Sequence, residues 1–257
     1  MNITQTFYNN LAAQYDKLFQ DWDAAVDEQS AILGRILRES GVDRSARILD
    51  CACGIGTQAI GLAKLGYPVT ASDISEGELV QARERAETRG VQICFERADF
   101  RALSEVFPEP FDAVIAMDNA LPHMLTREDL QAAVRSIIAQ IRPGGVFVAS
   151  IRDYDRLLVD KPPYSPPYIH QTAKGQRVSF QTWLWNGDIY HLTQYIIEDE
   201  DTLRTGKYQC SYRAIRREEL TNLLLSSGCS RVDWLFPEKT GFYQPILTAK
   251  KSVAPVR

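Results

Sequence analysis

The chain contains 257 residues, of which 45% are hydrophobic and 24% charged, and this composition is typical of a globular protein with a full core. The formal net charge of -4 gives no indication of the basic surface that a phosphate backbone requires, so nucleic acid is not expected as a partner. No apolar stretch approaches the roughly 18 residues that cross a bilayer, and the sequence therefore predicts no membrane helix.

The cysteines indicate a reducing compartment and no metal site. They are odd in number and scattered, and the first residues lack the basic and apolar regions of a secretory signal, so we expect a cytoplasmic protein. Cys51 and Cys53 form a C-x-C pair, but neither a second pair nor a histidine lies nearby at zinc-site spacing. We interpret both as small buried residues and predict no metal.

The first 45 residues have the apolar spacing of helices. Leu11, Tyr15 and Leu18 recur at three- and four-residue intervals, and Ile32 and Ile36 continue the pattern. This spacing predicts two or three helices before the first strand. We expect residues 1–45 to form a helical lid.

From residue 46 to residue 155, segments typical of strands and of helices alternate. The predicted strands are ARILDCA, PVTASD, VQICFERAD, FDAVIAMD and GVFVASI, and the predicted helices are TQAIGLAKLG, SEGELVQARERAETRG and TREDLQAAVRSIIAQI. Ser75 and Thr126 can cap the second and third of these helices. The alternation predicts an α/β domain with βαβ units and a mostly parallel sheet.

A proline-rich stretch, Lys161–Tyr168, interrupts the alternation and predicts an extended, partly polyproline connection. Three segments rich in β-forming residues follow it, namely QRVSFQTWLW, IYHLTQYIIED and TGKYQCSYRAI. We interpret residues 156–213 as a small antiparallel insertion. Residues 214–257 contain a last helix, REELTNLLLSSG, and two strands, SRVDWLFP and YQPILTAKK, which we expect to complete the core sheet.

The most informative local pattern is ILDCACGIGT at residues 48–57, in which a strand runs into a glycine-rich turn and then into a helix. Gly54 and Gly56 allow the backbone to approach a ligand closely. Asp73 ends the next strand, 19 residues after Gly54, and can accept hydrogen bonds from both hydroxyls of a ribose. These features predict a nucleoside-binding site.

The same turn is compatible with a dinucleotide, because Gly54, Gly56 and Ala59 satisfy the looser G-x-G-x-x-G/A spacing. An NAD-linked oxidoreductase is therefore one alternative. A non-catalytic scaffold that binds a nucleoside and regulates a partner is another, and it would bind the nucleoside without turnover.

The run ILDCACGIGT resembles motif I of class I S-adenosylmethionine-dependent methyltransferases, whose Rossmann-like domain has a mostly parallel seven-stranded sheet. Ala98–Phe100, Phe111–Met117 and Ile141–Phe147 resemble later motifs of that class. The resemblance implies S-adenosylmethionine as the cofactor, S-adenosylhomocysteine as the product, and Asp50 beneath the methionine end. The cofactor-binding residues that it implies are Tyr15, Asp50, Ala52, Gly54, Gly56, Asp73, Ile74, Asp99, Phe100 and Met117.

Three further stretches resemble the glycine and sarcosine N-methyltransferases and their small-molecule relatives. Met117–His123 resembles the motif L-G-N-S-F-x-H-L of that group, Ser150–Asp155 resembles D-H-R-N-Y-D, and Cys210–Arg213 resembles S-Y-Y. In that group the arginine of D-H-R-N-Y-D, which corresponds to Arg152 here, binds the substrate carboxylate. The residues that this resemblance places toward a small-molecule acceptor are Tyr8, Asn119, His123, Arg152 and Tyr212.

The sequence departs from that group in ways that make glycine itself an unexpected acceptor. Asp118 replaces the glycine of the motif, and it either adds a carboxylate to the site or turns outward. The N-terminal segment has no arginine where the group uses one against the methionine carboxylate. Aromatic residues of the insertion could pack in the core or form a cap suited to a flat or larger acceptor: Tyr164, Tyr168, Trp183, Trp185 and Tyr190.

We expect methyl transfer to an amine or ring nitrogen of a small molecule by in-line displacement, with positioning as the main catalytic effect. Transfer to a hydroxyl is the alternative, and it would require His123 or Asp118 as the catalytic base. The sequence does not distinguish a monomer from a homo-oligomer.

Overall fold

The computed structural model describes residues 3–173, 175–199 and 202–253, so predicted segments that reach beyond these ranges are assessed only within them. Within these ranges eleven strands form a large sheet and a small sheet. The large sheet contains β1 (Ile48–Asp50), β2 (Val69–Asp73), β3 (Cys94–Arg97), β4 (Phe111–Ala116), β5 (Ile141–Ser150), β10 (Cys229–Leu235) and β11 (Ile246–Lys251). The small sheet contains β6 (Tyr168–Thr172), β7 (Gly175–Asn186), β8 (Ile189–Asp199) and β9 (Leu203–Arg213).

The strand order of the large sheet is β10-β11-β5-β4-β1-β2-β3, and it confirms the predicted architecture. Strands β1 to β5 are parallel, whereas β11 is antiparallel to β5 and to β10. From β1 the chain adds β2 and then β3 on one side of β1, and it then crosses to the other side, where β4 lies next to β1. Ligands of such sheets bind outside the carboxyl ends of the strands at this switch point.

Eight helices accompany the strands in the described ranges. They are α1 (Ile3–Leu11), α2 (Trp22–Glu39), α3 (Thr57–Lys64), α4 (Glu76–Thr88), α5 (Arg127–Ala139), α6 (Tyr154–Asp160), α7 (Arg217–Ser226) and α8 (Pro237–Thr240), with a 3-10 segment at Ala12–Leu18. Four of them, α2, α4, α5 and α6, begin at a capping side chain. Ser75 caps α4 and Thr126 caps α5, as predicted. Among the described residues, no helix is both long and apolar enough to cross a membrane.

Some element boundaries differ from the sequence predictions. Strand β5 begins at Ile141 rather than at Gly145, because Ile141 already pairs with Phe111 before a register shift. Helix α6 was not predicted; its N-terminus is capped by the carboxylate of Asp153. Strand β6 was also not predicted, although it pairs with β7 at the end of the proline-rich stretch. Short elements of this kind have weak apolar periodicity, and tertiary pairing stabilises them.

Helix α1 and the small sheet share one hydrophobic core with the large sheet. Phe7 and Leu11 of α1, Ile196 of β8 and Phe147 of β5 are buried in the same cluster. The predicted boundaries at residues 45, 156 and 213 therefore separate elements of one packed body rather than independent cores.

We predict that Gly61→Ala destabilises the fold, whereas Gly34→Ala does not. A Cβ at position 61 would lie 2.8 Å from the carbonyl oxygen of Val26 and 2.5 Å from Cβ of Ser30, so α2 and α3 would have to separate. Such overpacking costs about 1–3 kcal/mol. At position 34 the near atom is the flexible end of Leu65, at 2.9 Å, and alanine improves helix propensity.

Urea unfolding of the two variants checks this prediction. A free energy of unfolding for Gly61→Ala equal to that of Gly34→Ala would contradict the close packing of α2 on α3.

Candidate functional site

A cavity of about 380 Å³ opens at the carboxyl ends of the parallel strands, at the switch point of the large sheet. Many of the residues singled out in the sequence line it: Tyr8, Tyr15, Ala52, Gly54, Asp73, Ile74, Asp99, Phe100, Met117, Asp118 and His123. Others lie outside the lining: Asp50, Gly56, Asn119, Arg152 and Tyr212. The turn after β1, the end of β2, the loop after β4 and helix α1 thus enclose one space.

The glycine turn has the backbone conformation that its sequence predicts. Gly54 and Gly56 have φ values of +53° and +91°, which side-chain-bearing residues rarely adopt. Gly56 does not line the cavity; it begins α3, and a Cβ there would lie 2.9 Å from Ile60. The turn is anchored by Asp73, whose Oδ2 accepts a hydrogen bond from the Gly54 N–H at 2.9 Å.

Asp50 lies behind the turn, with 1% of its surface exposed. Its Oδ1 accepts a long hydrogen bond of 3.4 Å from the N–H of Ala52, and its Oδ2 has no partner among the described residues. Burial and, to a lesser extent, the charges of Asp73 and Asp118 raise the pKa of Asp50 to about 8, against the opposing backbone hydrogen bond from Ala52. The acidic surroundings favour a positively charged ligand.

The Asp118 side chain lines the cavity and does not turn outward, which were the two possibilities for this residue. Asp118 and Asn119 have φ values of +55° and +70°, a strained conformation for residues other than glycine. The Asp118 carboxylate accepts hydrogen bonds from Nε2 of Gln58 at 2.8 Å and from Oη of Tyr243 at 2.7 Å. Gln58 and Tyr243 were not identified from the sequence.

Asn119 is buried and supports the acceptor side from behind. Its Oδ1 accepts hydrogen bonds from the N–H of Arg152 at 3.1 Å and from Oη of Tyr154 at 2.9 Å. It therefore joins the loop after β4 to the segment that follows β5. Its side chain orients the backbone of Arg152 rather than lining the cavity.

His123, Tyr8 and Tyr212 form a contact cluster between helix α1, the loop after β4 and strand β9. Nε2 of His123 lies 2.9 Å from Oη of Tyr8, and the ring centroids of His123 and Tyr212 are 4.2 Å apart. Burial and, to a lesser extent, the positive charge of Arg152 lower the pKa of His123 to about 3, against a backbone hydrogen bond with Ser211 that raises it. His123 is therefore a neutral imidazole at ordinary pH.

Arg152 is held by neutral groups. Its guanidinium donates hydrogen bonds to Oη of Tyr190 at 2.8 Å and to Oε1 of Gln181 at 2.9 Å, and it lies 4.9 Å from the ring centroid of Trp183. Within the described part of the chain, no carboxylate oxygen lies within 4.0 Å of its nitrogens. A guanidinium that is partly removed from water without an anionic partner is less stable than a paired one, which favours a negatively charged ligand.

The aromatic residues of the insertion divide into two groups. Trp183, Trp185 and Tyr190 pack together, with Tyr190 fully buried at 4.6 Å from the ring centroid of Trp185. Tyr164 and Tyr168 are 60% and 63% exposed, and neither lines the cavity. Tyr164 and Tyr168 thus lie on the outer surface, whereas the other three pack within the small sheet and against the core.

Two further charged groups, one in the cavity lining and one behind it, were not singled out in the sequence as site residues. Arg101 lines the cavity and pairs with Asp99 at 2.6 Å and with Asp129 at 2.8 Å. Glu78, in the first turn of α4, is fully buried beside the glycine turn. Glu78 stands three residues after the Ser75 cap, a position typical of a capping residue. Its place in the sequence therefore does not indicate a role in the site.

Comparison with known proteins finds similarity to methyltransferases. Residues 48–145 match the family described as "Methyltransferase domain". The chain is 30% identical to the glycine/sarcosine N-methyltransferase of Parasynechococcus marenigrum over 154 residues, which cover 60% of this chain and 53% of that protein. It is 33% identical to the ubiquinone biosynthesis O-methyltransferase of Methylocella silvestris over 161 residues, which cover 54% of this chain and 61% of that protein.

A solved structure shares nearly the whole fold. The amino pentose methyltransferase of Micromonospora echinaspora, described as bound to SAM, superposes with a TM-score of 0.74 at 20% identity, over 93% of this chain and 95% of that chain. The chain spans little more than half the length of the first curated relatives it matches, 53% to 57%. The strand order and the glycine turn agree with the match of residues 48–145, so this part of the chain has the fold of a methyltransferase domain.

Proposed function

We propose that this protein transfers the methyl group of S-adenosylmethionine to a nitrogen of a small molecule that also carries an anionic group. The observation that carries the proposal is Arg152, a partly buried guanidinium without an anionic partner among the described residues, close to the aromatic cluster of Tyr8, His123 and Tyr212. The relatives named as N-methyltransferases support nitrogen as the acceptor atom.

The cavity suits the proposed cofactor on the side of the glycine turn. Gly54 leaves room for the cofactor to approach the backbone, and Asp73 offers carboxylate oxygens for the ribose. Oδ2 of Asp50 has no hydrogen-bond donor among the described residues. Asp118 adds a carboxylate on the wall, which suits a ligand with a sulfonium and an ammonium group. We assign Tyr15, Ala52, Ile74, Asp99, Phe100 and Met117 to the same half, and Gly56 to the shape of the turn.

The chain's own residues act mainly by positioning the acceptor. When bound, S-adenosylmethionine supplies an electrophilic methyl group. Arg152 would fix the anionic group of the acceptor, and Asn119 holds the backbone of Arg152 in place. Tyr8, His123 and Tyr212 would enclose the acceptor nitrogen, and burial by α1 limits the access of water. Alignment of the lone pair with the methyl carbon lowers the barrier without a strong base.

We predict that His123 does not titrate during catalysis at neutral pH. The pKa of His123 lies at about 3 in the folded protein, far below its ordinary value of about 6.5, so the imidazole stays neutral throughout the usual assay range. The ratio of kcat/KM for the native protein to that for His123→Gln should therefore remain constant between about pH 5.5 and pH 8.5. A ratio that bends near pH 6.5 would show that His123 ionises in the working enzyme.

Oxygen methylation remains a second candidate, favoured by the contact of 2.9 Å between Tyr8 and His123. A neutral imidazole can remove a hydroxyl proton, directly or through the Tyr8 hydroxyl. The similarity to a ubiquinone biosynthesis O-methyltransferase supports this alternative. His123→Gln would then abolish transfer to phenols while it reduces transfer to amines only modestly.

Two measurements test the proposed function. Titration calorimetry with S-adenosylhomocysteine and with NAD should show binding of the first alone. A methyl-transfer assay across amines, azaheterocycles and phenols, each with and without a carboxylate, should then select nitrogen acceptors that carry the carboxylate. Binding of S-adenosylhomocysteine without turnover on any of these acceptors would favour a non-catalytic scaffold.

A further inference from the structure

Glu78 has a buried carboxylate for which the described residues provide no partner. Its side chain is 0% exposed, and neither Oε1 nor Oε2 makes a hydrogen bond. A carboxyl group that leaves water without gaining a partner disfavours folding, whereas an apolar side chain of similar size would not. A ligand that donates a hydrogen bond to Glu78 would remove this penalty.

The helix cap does not use the carboxylate of Glu78. In a capping box, the side chain of the third helical residue accepts a hydrogen bond from the N–H of the cap residue. Here Oγ of Ser75 accepts from the Glu78 N–H at 3.2 Å, but the Ser75 N–H donates to Oδ1 of Asp73 at 2.9 Å. Asp73 thus replaces Glu78 in the cap and leaves the Glu78 side chain available for another role.

Glu78 and Asp73 meet at the glycine turn. The Gly54 N–H donates to Oδ2 of Asp73, and a Cβ added to Gly54 would lie 3.5 Å from Oε2 of Glu78. Gly54, Asp73 and Tyr15 all line the cavity. Burial raises the pKa of Tyr15, and the nearby carboxylates of Asp118 and Glu78 contribute to the rise. Because position 54 carries no side chain, Oε2 of Glu78 lies directly behind the part of the cavity wall that Gly54 and Asp73 form.

We propose that Glu78 is a second ribose-binding carboxylate, which accepts a hydrogen bond from one ribose hydroxyl while Asp73 accepts from the other. The inference rests on the proposed function, because it takes the nucleoside of S-adenosylmethionine as the ligand. Two carboxylates beside the diol would also repel a ribose that carries a phosphate, so the pair selects a nucleoside with both hydroxyls free.

The test combines a protein variant with a change in the ligand. Calorimetry compares the native protein and Glu78→Met with S-adenosylhomocysteine and with its 2′-deoxy and 3′-deoxy analogues. For S-adenosylhomocysteine, Glu78→Met should raise Kd about 10- to 100-fold, since a hydrogen bond to a charged group is lost. For one of the two deoxy analogues, the native protein and Glu78→Met should bind equally, because the hydroxyl that Glu78 would accept is absent.

Matched variants keep the test decisive. Glu87→Met alters an exposed residue of the same helix and should leave every Kd unchanged. Glu78→Gln keeps an acceptor oxygen and should lose less affinity than Glu78→Met; it also provides the comparison if the methionine variant does not fold. The ligand-free Tm of Glu78→Met should rise, because the buried carboxyl is gone.

The outcomes separate this inference from the proposed function. The role of Glu78 would be overturned if the folded Glu78 variants bound S-adenosylhomocysteine with native affinity. It would also be overturned if, for both deoxy analogues, the loss of affinity from the variant simply added to the loss from the missing hydroxyl. Either result would leave the proposed function intact. Failure of the native protein to bind S-adenosylhomocysteine would overturn both.

Discussion

Replacement of Asp73 by alanine is expected to weaken the binding of S-adenosylhomocysteine by a factor of about 100 or more. The variant loses a proposed acceptor for the ribose, and a hydrogen bond to a charged group contributes about 1.5–3 kcal/mol. It also releases the N–H groups of Gly54 and Ser75, each 2.9 Å from an Asp73 oxygen. The turn and the start of α4 thus lose their common anchor. Titration calorimetry measures the loss.

Two variants control this experiment. Asp160→Ala removes an exposed carboxylate at the end of α6 and should bind as the native protein does. Asp73→Asn keeps an acceptor oxygen and should bind more tightly than Asp73→Ala. Near-native affinity of Asp73→Ala would contradict the assignment of Asp73 to the nucleoside.

Arg152→Met is expected to reduce kcat/KM for an anionic acceptor by a factor of about 1,000 while the affinity for S-adenosylhomocysteine stays unchanged. Truncating one partner of a buried charge pair typically costs about 2–5 kcal/mol, and a carboxylate left opposite Met would have no cation. The thermal stability of the ligand-free variant should rise, because Arg152 has no anionic partner among the described residues to lose.

The matched control is Arg156→Met, which alters an exposed arginine paired with Asp160. Acceptors with and without a carboxylate are compared in steady-state kinetics. An equal loss for both types of acceptor in Arg152→Met would mean that Arg152 only supports the aromatic cluster.

The elements of the large sheet could be predicted because their signals are local. The run from Ile48 to Thr57 contains a strand, a turn that requires glycine and the start of a helix within ten residues. Ser75 and Thr126 mark helix starts by their own side chains, and both predictions are confirmed. Asp73 was found in the same way, because a carboxylate at a strand end lies at the ligand-binding edge of a parallel sheet.

The partners of Asp118 could not be predicted, because they are distant in the chain. Gln58 is 60 residues away and Tyr243 is 125 residues away, and neither contact leaves a pattern in the local sequence. The left-handed backbone at Asp118 and Asn119 likewise has no local signal, since residues other than glycine seldom adopt it. Tertiary contacts compensate the strain at both positions.

The missing partner of Arg152 is a further property that only the fold shows. The sequence resemblance gave the position of an arginine, but its exclusion from water depends on Tyr190 and Gln181 of the small sheet. Those residues belong to the insertion, whose strands were predicted while their packing against Arg152 was not. Burial of a charge depends on several elements at once, so a single segment cannot reveal it.

Helix α1 contacts both halves of the cavity, and this arrangement bears on the order of ligand exchange. Tyr8 contacts His123, whereas the neighbouring Asn9 accepts hydrogen bonds from Ser75 Oγ at 2.7 Å and from the Gly77 N–H at 3.0 Å. A displacement of α1 would break both sets of contacts together. Under the proposed function, the cofactor side could then open only together with the acceptor side, so exchange of the spent cofactor would be coupled to release of the methylated product, and repeated methylation of one acceptor would require its release between cycles.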